Sequence, residues 1–259
     1  MTDLAHATDD AGGHAHHWEV SWAPMAVAFG VFFLVPMTFA SALVYHIPLL
    51  ATVFAAIGVV LTLAGVSRWI FEGATTVGVI QNVSPAGIGF FIFGEILIFF
   101  GLFVSYWALR LSAGDAWPPA GTPEINHVLP LIMTVFLVGS SLTYHHAEAK
   151  LEGDDRSGFL TWLVITLVLG LAFLSCTGYE YHHLFGEGFT PGTNQYSSAF
   201  FTLTGFHGTH VLVGLLAFAA IGLTFLFREP NRNVVKVAGI YWHFVDVVWF
   251  FVASQVYYW

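Results

Sequence analysis

Cysteine occurs once in the 259 residues, at Cys176, so neither an intrachain disulfide nor a cysteine-based metal cluster is open to the chain. Charge is almost as scarce. Asp, Glu, Lys and Arg make up 9% of the residues, against about 25% in soluble domains. No basic patch exists to neutralise phosphates, which excludes nucleic acid as a partner. The opening stretch MTDLAHATDDAGGHAHHWEV holds no Lys or Arg, which does not fit a signal or transit peptide. An acidic, His-rich tail over 1–23 is expected to stay on the chain. His14, His16 and His17 could hold a metal weakly, as His-rich tracts do, but a solvated tail is the simpler reading. Sequence signatures of a nucleophile elbow, a Walker loop, a dinucleotide fingerprint and a C-x-x-C pair are all missing.

Apolar residues fill the space that charge vacates. They make up 57% of the chain, with 26 Phe and 9 Trp, and the mean hydropathy is +0.75. A spanning helix needs about 20 mostly apolar residues, because its backbone polar groups must be satisfied internally across about 30 Å of hydrocarbon. Seven stretches qualify, near residues 24–45, 48–66, 86–110, 126–146, 157–178, 196–226 and 236–258. The fold class is therefore all-α integral membrane protein. Pro36 inside the first run predicts a kink. The polar, Gly-containing linker 67–85 separates a two-helix hairpin, 24–66, from a five-helix bundle, 86–259. With seven spans the loops alternate sides. Arg68, Lys150, Arg156, Arg228, Arg232 and Lys236 then fall on the side of the N-terminus, and Arg110 alone on the other. Six against one places the N-terminus inside and the C-terminus outside.

Ionisable groups within apolar spans cost energy and are functional candidates by default. Glu95, in FGEILIFFGLF, has no cation near it in sequence. It reads either as a proton-handling or lipid-facing carboxyl, or as a neutral acid hydrogen-bonded to a neighbouring helix. His207 and His210 stand three apart on one helix face and could ligate a metal or haem, but Gly205, Gly208 and Gly214 around them favour close helix packing. His243 and Asp246 share the same spacing. A catalytic dyad would need a nucleophile or metal that no sequence neighbour supplies, so an interhelical clamp is the reading. His145 and His146 are adjacent and do not share a face, which argues against chelation by both. Glu180, between Tyr179 and Tyr181, fits an interfacial polar contact. From residues alone the chain has no evident catalytic site and no metal set.

Several of these stretches, taken in order, add a resemblance. "FEG", "FGEILIFFGLF", "WPP", "HHAEAKLEGD", "YEY", "FFTLTGFHGTHVLVG" and "YWHFVDVVWFF" run from about Trp69 to Trp259 as they do in subunit III of the haem-copper cytochrome c oxidases. The likeness is weaker in the first two spans, where "SWAPMAVAFG" and His46 fall as expected. The resemblance implies a chain without a redox centre, attached directly to oxidase subunit I, which carries haem and copper, with subunit II, a small subunit IV or a larger respiratory supercomplex as further partners. It implies a lipid cleft between the hairpin and the bundle, with bound phospholipid. It also implies a proton- or lipid-associated role for Glu95. Glu72 matches the acid of the family's lipid head-group element. Phe71 stands where that element has Arg, Thr75 to Val79 replace the His pair of many relatives, and Arg68 and Trp69 are candidates to compensate. The "HHAEAKLEGD" loop is two residues longer than usual. By the same resemblance His145, His146, Glu180, His207, His210, His243 and Asp246 are interior polar packing.

The implied activity is that of a structural, accessory subunit of a proton-pumping terminal oxidase in a prokaryotic plasma membrane, with the mitochondrial inner membrane as the alternative. Subunit III of a quinol oxidase and the accessory subunit of a nitric oxide reductase are close rivals, although both groups commonly lack the first two helices. A stand-alone His-ligated membrane metalloenzyme is the rival from another class.

Overall fold

The structure is a computed structural model, and it describes residues 21–75, 85–227 and 231–258. Among the described residues every regular element is helical. Seven helices among the described residues are long and apolar enough to cross a membrane, as the hydrophobic runs predict. The chain forms two compact units, Met1–Val77 and Gly78–Trp259.

In the first unit α1 (Ala23–Phe32) passes into two π-helical segments, Phe33–Met37 and Ala40–Val44. Pro36 lies within the first of them. Proline has no amide hydrogen and its ring crowds the preceding turn, so the helix widens instead of ending. The Phe33 carbonyl accepts from both the Thr38 amide and, at 2.9 Å, the Thr38 hydroxyl. A three-residue turn, with His46 at φ 52°, leads into α2 (Pro48–Thr75). A Cβ on Gly58 would sit 2.6 Å from the Leu34 Cα, and one on Gly65 would sit 2.9 Å from the Val27 amide nitrogen. Glycine is what lets these two backbones touch. Residues 67–75, expected in the linker, continue α2, because backbone hydrogen bonding does not stop where the apolar run does.

The second unit contains α3 (Pro85–Ala113), a short 3₁₀ turn (Gly114–Ala116), α4 (Val128–Glu152), α5 (Arg156–Gly186), α6 (Gln195–Phe227) and α7 (Arg232–Tyr257). At 1.5 Å per residue the longest of these exceed a hydrocarbon thickness of about 30 Å. Polar caps mark four starts. Asn126 accepts from the Val128 amide at 2.8 Å, Asp155 from Gly158 at 2.9 Å, Asn194 from Ser197 at 2.8 Å and Asn231 from Asn233 at 2.9 Å. Each side chain supplies an acceptor to an otherwise orphaned helix N–H. α7 packs against α3, α4 and α6, and α6 also packs against α3 and α5. In α7, 56% of the most apolar stretch is buried, against 11% in α3, which makes α7 the central strut. One end of the bundle carries Lys150, Arg156, Arg232 and Lys236 on the adjoining ends of α4, α5 and α7, and the other carries Arg110 on the last turn of α3.

Candidate functional site: polar groups buried between the helices

Glu95 finds a partner that its own helix could not offer. His210 of α6 brings Nε2 to 3.0 Å from the Glu95 Oε2, with both side chains less than a fifth exposed. His210 Nδ1 lies 2.8 Å from the carbonyl of Phe206, one turn back. A carbonyl only accepts, so Nδ1 carries a hydrogen. The contact between Nε2 and Oε2 then needs one further proton, which gives either acid beside imidazole or carboxylate beside imidazolium. Both states are neutral overall, so the pair stores one proton without placing net charge in the apolar interior. Phe206 and Phe99 enclose it, their ring centroids 4.6 and 5.1 Å from that of His210, and the Tyr241 hydroxyl donates to the His210 carbonyl at 3.2 Å.

His207, one turn before, faces elsewhere. It is wholly buried between Phe173, at 5.7 Å, and Trp249, at 5.2 Å, and neither ring nitrogen meets a protein partner among the described residues. The spacing that placed the two imidazoles on one face thus separates into two environments, His210 meeting Glu95 of α3 and His207 meeting Phe173 of α5 and Trp249 of α7. Of the nearby glycines, Gly214 has Trp242 carbons 2.6 Å from where a Cβ would stand, Gly205 faces the Tyr181 hydroxyl at 3.3 Å, and Gly208 has no neighbour within 4 Å.

The second buried acid, Glu180 of α5, accepts a hydrogen bond from the Tyr257 hydroxyl at 2.6 Å, near the end of α7. Sequence gave no sign of this tyrosine beyond its being one of several near the C-terminus.

α4 and α7 run antiparallel and are laced together by side chains. Trp249 Nε1 donates to Thr134 Oγ1 at 2.9 Å, Trp242 Nε1 to Ser140 Oγ at 3.0 Å, and the Tyr144 hydroxyl to the Val235 carbonyl at 2.7 Å. His243 Nδ1 lies 2.8 Å from Ser141 Oγ. Asp246, three residues on, is buried, and its Oδ1 meets no hydrogen-bond partner among the described residues. His146 turns from this seam: its Nδ1 lies 2.8 Å from the Leu142 carbonyl, and its ring stands 5.0 Å from that of Trp162 on α5. His145 and His243 are exposed at the surface of the bundle.

At the cationic end Arg156 donates to the Phe225 carbonyl at 2.7 Å, its guanidinium 4.7 Å over the Phe225 ring, so a cation closes the C-terminal turn of α6. Lys150 pairs with Asp155 at 3.2 Å, and Arg232 bonds Asp154. The Gly158 amide and then Lys150 hold the Asp155 carboxyl below the ordinary aspartate range.

Of the lipid head-group candidates, Trp69 is 55% exposed and Arg68 lies 5.7 Å over the Phe71 ring. The Glu72 side chain, the head-group element downstream of Thr75 and the three N-terminal histidines lie outside the described residues. Among the described residues no three His, Cys, Asp or Glu side chains gather as metal ligands. What the polar groups do in this geometry is bridge helices: α3 to α6, α5 to α7, and α4 to α7.

Residues 14–259 match the family described as "Cytochrome c oxidase subunit III". A cytochrome c oxidase subunit 3 of Synechocystis sp. is 40% identical over 177 residues, covering 66% of this chain and 73% of the relative. A probable cytochrome c oxidase subunit 3 of Nocardia farcinica is 36% identical over 180 residues, covering 68% and 88%. A cytochrome c oxidase subunit 3 of Mycosarcoma maydis is 33% identical over 220 residues, covering 78% of each. With seven apolar helices, acids paired across them and a match over nearly its whole length, the chain belongs to the cytochrome c oxidase subunit III family.

Proposed function

We propose that this chain is the non-redox accessory subunit of a proton-pumping, haem-copper cytochrome c oxidase in a prokaryotic plasma membrane, N-terminus inside. It keeps proton uptake by the catalytic subunit fast and protects that subunit during turnover. The observation that carries this reading is the Glu95–His210 pair, an acid and a base sharing one proton inside the membrane span. Bacterial relatives named as the same subunit support the compartment, and the cationic end of the bundle supports the orientation. Haem and copper belong in this reading to the partner subunit I. An exposed Trp69 beside Arg68 at the end of α2 supports a bound phospholipid, as an amphipathic ring and a cation do at a membrane interface. The test is turnover by purified oxidase with and without this chain. The depleted complex is expected to reduce oxygen but to slow at high pH and to inactivate sooner. Equal turnover and equal lifetime would count against the role.

A further inference from the structure

We propose that the outer face of the α4–α7 seam, centred on His243 and His145, is the docking site for a membrane-spanning helix of another oxidase subunit that presents a hydrogen-bonding side chain level with His243. The proposal rests on the subunit reading above and adds which face meets the partner.

Elsewhere the lipid-facing surface of the bundle leaves little polar chemistry unmet. Exposed hydroxyls fold back on their own helix: Ser105 donates to the Gly101 carbonyl, Ser175 to Leu171, Thr209 to Gly205 and Thr224 to Ala220, all at 2.7 to 2.9 Å. His146 and His210 do likewise through Nδ1. His145 and His243 break the pattern. Both are exposed. Among the described residues His243 has one hydrogen-bonded nitrogen, the Nδ1 at Ser141, and neither nitrogen of His145 has a bond. Ser141, which meets His243, and His145 stand one turn apart on α4, on one face of that helix. His243 stands seven residues, about 10 Å at 1.5 Å per residue, inside the apolar run 236–258, and His145 stands at the inner end of the run 126–146, so His243 faces the hydrocarbon and His145 its edge. Leu142, Val247 and Phe250 around it are exposed and apolar. An imidazole nitrogen left facing lipid tails loses its hydrogen bonds with no compensation. The surroundings ask for an apolar helix, and the imidazoles ask for a polar group on it.

The test uses the intact oxidase. A photo-reactive phenylalanine analogue at Val247 or Leu142, with both histidines native, is expected to crosslink to another oxidase subunit. His145→Leu with His243→Leu is expected to release the chain from the complex at lower detergent concentration, with retention reduced about threefold per imidazole, as for an average interhelical hydrogen bond in membranes. His243→Gln, which keeps a hydrogen-bonding amide, is expected to restore most of the retention lost at that position. If the chain co-purifies with the oxidase but both positions crosslink only to lipid or to a second copy of the chain, the docking face is wrong. A chain that never co-purifies with oxidase subunits overturns the subunit reading and the docking face together.

Discussion

At the residue scale the deciding quantity is whether each intramembrane polar group has a partner. Glu95 and His210 do, and the test of a shared proton is a coupling between them. Combining Glu95→Gln and His210→Gln in a double-mutant cycle is expected to give about 0.6 to 1.7 kcal/mol of coupling, the range for interhelical bonds in membranes, read from thermal inactivation of the complex. Additive single effects would mean that the 3.0 Å contact carries no energy. Glu180 depends on one hydroxyl. Tyr257→Phe removes it and leaves a buried acceptor unmatched, with an expected loss of about 1 to 3 kcal/mol. Asp155 acts at the surface. Its folded carboxyl titrates below the ordinary value, with the Gly158 amide the larger cause. Its contribution is therefore complete above the ordinary aspartate range of about 3.9 and fades as pH falls through the lower, folded value. Asp155→Asn is expected to lower thermal stability near neutral pH, with the gap to the native chain closing on acidification.

At the element scale close approach decides. Gly214→Ala would push a methyl group to 2.6 Å from Trp242 and is expected to cost about 1 to 3 kcal/mol, as overpacking does. Gly208→Ala, one helical turn and a half away with nothing within 4 Å, is expected to change stability by less than about 0.5 kcal/mol. Thermal aggregation of the purified oxidase compares the two. The sequence grouped these glycines as one packing motif, and only the rotation of α6 against α7 tells them apart. The apolar runs expected from 126, 157 and 196 begin within two residues of α4, α5 and α6, whereas α7 starts at Arg232, four residues before its run. Helix ends were harder to read. The continuation of α5 to Gly186 and of α2 to Thr75 depends on hydrogen bonding that runs on into polar sequence.

At the scale of the whole molecule the distribution of positive charge predicts orientation. Lys150, Arg156, Arg232 and Lys236 gather at one end of the second unit and Arg110 lies at the other. In a Cys176→Ser background, Ala120→Cys is expected to react with a membrane-impermeant maleimide added to whole cells, and Gly153→Cys only after the inner face is opened. Labelling of both from one side would refute the alternating topology. The same scale explains the single cysteine and scarce charge: in hydrocarbon the backbone bonds within each helix hold the spans, and side-chain hydrogen bonds choose which spans meet.

By itself the sequence determined that the chain crosses a membrane, how many times, and in which residues its intramembrane polar groups reside, because hydrocarbon imposes a length and a composition that a single chain must carry openly. It also carried the ordered motifs of its family. Which polar group meets which was decided by tertiary structure alone: Glu95 with His210, Glu180 with Tyr257, and His243 with Ser141. Those pairings depend on how each helix is rotated about its axis, and the runs of α3 and α6 are apolar nearly all round, so no stripe in the sequence records the angle.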